Sequence, residues 1–198
     1  MNKIAIALSS ILCFGVIGTA QAKTPPKIIV KADNVNGLKY GQTINKATLA
    51  KIGLRYPEDA NNECYYVPLN NLNEEQRPTF LLVENNKLGM VDIRRSDVQL
   101  FSKIKIGDKV ENVLKAHKAK PSYSVNKYDD GTGNSYHLIY DLANGVQIDY
   151  RLKGGQKLPS IDISSKNWKN SYNRLLRGQV ESIAVGKKDT IALVEGCS

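Results

Sequence analysis

Very little in this sequence suits metal or redox chemistry. There are three cysteines, two histidines and one tryptophan in 198 residues. A structural zinc cage needs four Cys or His ligands at short spacing, and Cys64 and Cys197 have no histidine near them. No C-x-x-C pair occurs, and neither cysteine stands at an evident helix N-terminus, so nothing marks an activated thiol. The two histidines, His117 and His137, form no Ser-His-Asp or Cys-His set by local spacing. Gly131-x-Gly133 is followed by no Lys-Ser/Thr pair and no helix, which excludes a phosphate loop. The oxygen-rich run Asp129 to Asn134 lacks the EF-hand spacing and its closing Glu, and reads as a hairpin tip. The sequence therefore implies no cofactor, no metal and no catalytic residues, and the chain reads as a non-enzyme.

Long apolar runs are also scarce. The one present, Ile4 to Ile17, is too short and wrongly flanked to span a membrane. Lys3 before it and Ala20-Gln21-Ala22 after it complete a secretory signal, residues 1–22, with cleavage expected after Ala22. Leu12 precedes Cys13 where a lipobox needs a small residue, which argues against a lipid anchor. The mature chain should begin at Lys23 with no transmembrane segment. The short signal and the lack of N-glycosylation sequons point to a bacterium, hence to the periplasm.

Acidic residues are outnumbered, 19 against 28 Lys and Arg, for a formal charge of +9. Loss of Lys3 with the signal leaves 27 basic residues against 19 acidic ones, or +8. Such a balance favours wall polymers, anionic lipid surfaces or an acidic protein as partners, or it serves solubility alone. Nucleic acid does not belong to the expected compartment. In an oxidising compartment the two cysteines of the mature chain, Cys64 and Cys197, have only each other to pair with.

Two stretches organise what is present. Leu38 to Leu54 and Ile104 to Pro121 each begin as an apolar run ending in Gly, at Gly41 and Gly107. Each continues as a short amphipathic helix and then breaks. The first helix is predicted from about Gln42 to Lys51, capped by Thr43 or Gln42, stopped by Gly53, and burying Ile44, Ala47, Leu49 and Ile52. In the second, Asp108 has capping-box spacing to Glu111, with Val110, Val113, Leu114 and His117 on one face. Strand patterns follow each helix. Thr79 to Glu84 and Lys87 to Ile93 flank Asn85-Asn86, a two-residue turn that accepts positive φ. Ser122 to Tyr128, Tyr136 to Asp141, Gly145 to Leu152 and Leu158 to Ser164 follow the second helix. Trp168 to Leu176 reads as a short helix, and Gly186-Lys187-Lys188-Asp189 as the turn of a last hairpin. The expected fold is α+β: two repeats of a short helix followed by a small antiparallel sheet, residues 23–102 and 103–198, tied by Cys64–Cys197.

Tyr40-Gly41 with Lys46 to Gly53, and Ile106-Gly107 with Val110 to Lys118, resemble the tandem repeat of β-lactamase-inhibitor-like proteins. The single repeat also resembles the outer-membrane assembly lipoprotein BamE. Cys64-Tyr65-Tyr66-Val67 and Val185-Gly186 through Glu195-Gly196-Cys197 are similar to an exported proteobacterial family of unknown function. The resemblance implies an inhibitor or immunity protein. The inhibitor-like proteins carry a disulfide in each half, whereas this chain can form one, across the halves.

Tyrosine dominates the aromatics, ten against three Phe and one Trp. It offers a large apolar face with a hydroxyl at low entropic cost, which suits binding surfaces. Alternation puts Tyr136 and Tyr140 on one face of their strand, and Tyr150 with Ile148 opposite Asp149 and Arg151. Tyr128, Asp129, Asp130, Tyr136, Tyr140, Tyr150 and Trp168 are the expected contacts to a protein partner, an enzyme or toxin whose active site they would cover. The alternative is a cell-envelope factor that holds anionic wall or lipid components on a basic face; Lys166, Lys169, Arg174 and Arg177 cluster near Trp168.

Overall fold

The computed structural model describes residues 27–58, 60, 63–69, 79–125, 135–154, 178–192 and 197. The expected signal at 1–22, the expected hairpin tip bearing Tyr128, Asp129 and Asp130, the expected strand at 158–164 and the segment with Trp168 and its basic neighbours lie outside them. The fold is α+β. A small sheet contains β1 (Ile29–Val30), β2 (Asn34–Val35), β3 (Leu38–Lys39) and β7 (Gln99–Leu100) in the order β3-β2-β1-β7, with β7 parallel to β1. The main sheet is antiparallel and seven-stranded. It contains β4 (Cys64–Pro68), β5 (Phe80–Glu84), β6 (Lys87–Ile93), β8 (Ser122–Val125), β9 (Ser135–Asp141), β10 (Val146–Lys153) and β11 (Gln179–Lys187). Their order is β4-β5-β6-β11-β10-β9-β8.

Strands of both halves of the chain thus lie in one sheet, not in two small ones. The reason is in the sequences of β6 and β11. Residues 88–93 and 182–186 are buried without alternation, so neither strand can stand at an edge. They pair with each other, Asp92 opposite Ala184, with Val91↔Val185 and Ile93↔Ile183 on either side.

Each glycine-ended run folds into a turn hooked onto the start of one of these two strands. Gly41, at φ +84°, donates its N–H to Leu88 O (2.7 Å), and Leu88 N–H donates back to Gln42 O (2.9 Å). Gly107, at φ +89°, donates to Val180 O (2.8 Å), and Val180 N–H donates to Asp108 O (2.8 Å). Gln42 Oε1 accepts from Lys39 N–H, and Asp108 Oδ2 accepts from Lys105 N–H. Asp108 is therefore bound to its own turn and is not the helix cap. α2 (Val110–Ala116) starts after Lys109 without a side-chain cap, and its N-terminus is fixed by Val110 N–H to Gly178 O (3.1 Å). α1 (Lys46–Lys51) also starts later than expected. Asn45 is its cap, with a reciprocal pair of bonds to Thr48.

One apolar core lies on one face of the main sheet. Leu49 of α1, Val110 and Val113 of α2, and Val30, Val35, Leu38 and Leu100 of the small sheet all pack into it. The opposite face carries a smaller cluster, Leu82, Met90, Ala184 and Ile191. The expected hairpin at residues 186–189 does not form. β11 continues to Lys187, and α3 (Lys188–Ile191) then turns back across the sheet. Small residues permit this. A Cβ on Gly89 would collide with Thr190 of α3, and one on Gly186 would strike Gly89 O and the Met90 backbone.

Gly186→Ala should destabilise the protein by about 2 kcal/mol or more, since backbone on the partner strand cannot yield as a side chain does. Gly37→Ala, in open space at φ +86°, should cost only about 1 kcal/mol. Denaturant midpoints of the two variants check the difference.

Candidate functional site

Tyr136, Tyr140 and Tyr150 do share one sheet face, but it is the face that packs on the core. They are 1%, 1% and 0% exposed. They are therefore not displayed to a partner. Their area makes them the largest pieces of the core, and burial pushes the Tyr136 and Tyr150 phenols well above the ordinary range. The Tyr150 hydroxyl donates to Ser102 Oγ (2.9 Å) and is hydrogen-bonded to His117 Nε2 (2.7 Å). The His117 ring stacks on Tyr140 at 4.0 Å between centroids, and burial lowers its pKa.

The opposite face holds charge. Asp92 and Asp149 are 4% and 2% exposed, separated in the register by Ala184. His137 Nδ1 lies 2.8 Å from Asp149 Oδ2, and Arg94 Nη2 lies 2.9 Å from Asp92 Oδ2. Arg151 reaches both carboxylates at 3.5 Å. Arg94 also sits over the Phe80 ring at 5.4 Å, and Tyr66 meets Phe80 edge to face at 5.7 Å. Two buried carboxylates are thus compensated by three cationic or protonatable side chains, the condition for holding such charges in a sheet interior.

The disulfide forms as expected. Cys64 and Cys197 are bonded with Cα atoms 5.3 Å apart, across 133 residues of chain. Cys197 N–H donates to the Tyr66 hydroxyl at 3.1 Å. Cys197 is thereby fixed to β4, an edge strand of the main sheet.

Between the Gly41 turn, the Asn85-Asn86 hairpin and α3 lies an open groove of about 840 Å³. Lys87, Lys187 and Lys188 line it, with Glu84 and Asp189, and Gly41, Gly89 and Gly145 leave it room. Positive φ at Asn85 (50°) and Asn86 (57°) makes the tight hairpin that sets Lys87 at the rim. Lys187 Nζ is held by Asn144 O (3.1 Å), and its stem passes 3.2 Å from where a Gly41 Cβ would stand. Thr190 donates to Glu84 (3.4 Å), which ties α3 to the hairpin across the groove floor. The sequence alone did not bring these lysines together. Lys187-Lys188 read as a turn, and Lys87 comes from the other half of the chain.

No protein-family model matches the sequence, and no curated protein matches it. Among solved structures the chain is similar to the uncharacterized protein yfeY from Escherichia coli, at 14% identity and a TM-score of 0.45. The match covers 80% of this chain and 99% of that one. A likeness of this degree carries nothing over to this chain.

Two outcomes follow from this geometry. Cys197→Ser should lower global stability by about 4–5 kcal/mol in the loop-entropy model, read from urea midpoints against the oxidised parent. Burial holds the folded pKa of His117 below the ordinary histidine value of about 6.5, so between those two values it binds fewer protons folded than unfolded. Its contribution is complete above about pH 6.5 and is lost as the pH falls from there through the folded pKa. His117→Phe keeps the stacked ring and removes the titration. Its melting temperature should fall less than the parent's between pH 7.5 and pH 5.

Proposed function

We propose that the chain is a non-catalytic binding protein of the bacterial periplasm, exported by residues 1–22, that holds an anionic cell-envelope component in the lysine-lined groove. The convergence of Lys87, Lys187 and Lys188 on one concavity carries this reading. Lys87 belongs to β6, and Lys187 and Lys188 to the junction of β11 with α3, so their sharing one groove is a product of the fold. The chain's excess of basic residues adds long-range attraction for the same class of ligand.

The same reading includes two copies of one unit, a glycine-ended turn with a helix followed by antiparallel strands. The hooks at Gly41 and Gly107 support it, and so do the sheet registers. β5 shifts register against β6 between Leu82 and Val83, and β10 shifts against β11 between Arg151 and Leu152. Leu88 and Val180, the residues just past each bulge, are the two that the hooks grip. Antiparallel pairing of β6 with β11 about Asp92↔Ala184 would then relate the copies by a local two-fold.

A second reading keeps the inhibitor or immunity role and moves its surface. Tyr66, 39% exposed, with Phe80 and Arg94 forms a preorganised aromatic–arginine patch on the face away from the core. Those residue types are enriched at protein–protein hot spots.

Chromatography of an envelope extract over the immobilised protein at low and moderate salt separates the two. An anionic ligand in the groove should be retained at low salt and released at about 0.3 M salt, where the Debye length falls to roughly 6 Å. Lys87→Ala with Lys188→Ala should weaken that retention about tenfold, the equivalent of about 1.4 kcal/mol. One protein retained at both salts, unaffected by the lysine substitutions and lost on Tyr66→Ala with Arg94→Ala, would sink the groove reading in favour of the second.

A further inference from the structure

The groove is not lined by cations alone, and its acidic residues narrow the ligand. Resting on the anion-binding reading above, we infer that the ligand is an acidic carbohydrate: a saccharide with a carboxylate or phosphate on one unit and free hydroxyls on its neighbours.

Three features select that class. First, Glu84 and Asp189 line the groove together with Lys87, Lys187 and Lys188. A compact polyanion would meet these carboxylates with like charge, and each would cost part of what the lysines contribute. A saccharide uses both signs, because its acidic group takes the ammonium donors and its hydroxyls donate to carboxylate oxygens. Second, the carboxylates are not consumed in pairing with those lysines. Glu84 accepts from Thr190, and Lys187 donates to the Asn144 carbonyl. Third, the groove offers nothing to a bilayer. The exposed large apolar residues among those described are Ile29, Tyr66, Phe101 and Val125, and none of them lines it. A membrane surface is bound by apolar insertion together with basic charge, and only the charge is present here. Asn85, an amide with both donors and acceptors, also lines the groove and suits hydroxyl groups.

Titration calorimetry with four probes tests this: an oligosaccharide with one galacturonate unit among neutral sugars, its methyl ester, inorganic tripolyphosphate, and phosphatidylglycerol vesicles. The expected result is binding of the acidic oligosaccharide with at least tenfold weaker binding of the ester. Asp189→Asn should weaken the oligosaccharide at least threefold while leaving tripolyphosphate unchanged or tighter. Asp189 is exposed, so that variant should fold. Tripolyphosphate binding at least as tightly as the oligosaccharide, with Asp189→Asn silent toward both, would overturn the carbohydrate assignment and leave the anion groove standing. Vesicle binding without oligosaccharide binding would overturn it in favour of lipid. No binding by any probe would overturn the groove reading itself.

Discussion

β6 and β11 are each buried on both faces, so each needs a partner on both edges. β5 and β10 supply one edge apiece, and the remaining edges can only meet each other. That pairing makes a single sheet out of strands that come from well-separated parts of the chain. The hooks at Gly41 and Gly107 depend on it as well. They grip Leu88 and Val180, and so hold α1 and α2 on the same side of the sheet. Ala184 and Gly186 keep the centre of the far face low, which lets Arg151 reach both carboxylates and lets α3 lie close to β6.

The two faces of the sheet handle polarity in different ways. On the core face the polar groups are phenols, whose rings fill volume while a hydroxyl such as that of Tyr150 finds Ser102 and His117. On the far face they are carboxylates, and burial of Asp92 and Asp149 is tolerable only because Arg94, Arg151 and His137 surround them. A network of that kind is costly to break at any one member, since the partner left behind is an unpaired buried charge. It fixes which side of β10 faces the core more firmly than apolar residues alone could. A one-residue slip would drive Asp149 and Arg151 into the tyrosine layer.

Local signals were legible in the sequence. Cysteine arithmetic found the Cys64–Cys197 bond, and Asn85-Asn86 announced its hairpin because few residues accept positive φ. Alternation found that Tyr136 and Tyr140 share one face of their strand, and that Tyr150 lies opposite Asp149 and Arg151 on its own strand. It could not tell which face was covered, because that depends on where α1, α2 and the small sheet pack. Asp149, opposite Tyr150, is 2% exposed because His137 and Arg151 pair with it, and alternation does not reveal such pairing. The helix caps failed for a similar reason. Asp108 has the chemistry of a cap, but its carboxylate is taken by Lys105 N–H within the turn, a local competitor that spacing does not reveal. Lys187-Lys188 resembled a hairpin turn because a glycine precedes it, and Gly186 is there for close strand packing instead.

The groove shows why charge counted along a sequence is a poor guide to a site. The basic run around Trp168 is denser in sequence than anything near Lys87, yet Lys87 meets Lys187 and Lys188 across the central strand pair. Each wall of the groove is held by a different device. The Asn85-Asn86 hairpin holds Lys87, the hooked Gly41 turn makes room for Lys187, and α3, tied to Glu84 through Thr190, carries Lys188 and Asp189. Like charges that line one groove repel, and the fold tolerates them because Glu84 and Asp189 line it too and the groove stays open to water. A ligand that satisfied the lysines while keeping those carboxylates hydrogen-bonded would relieve the repulsion without creating a new one. That difference in free energy between the empty and filled groove is what would give the site its affinity.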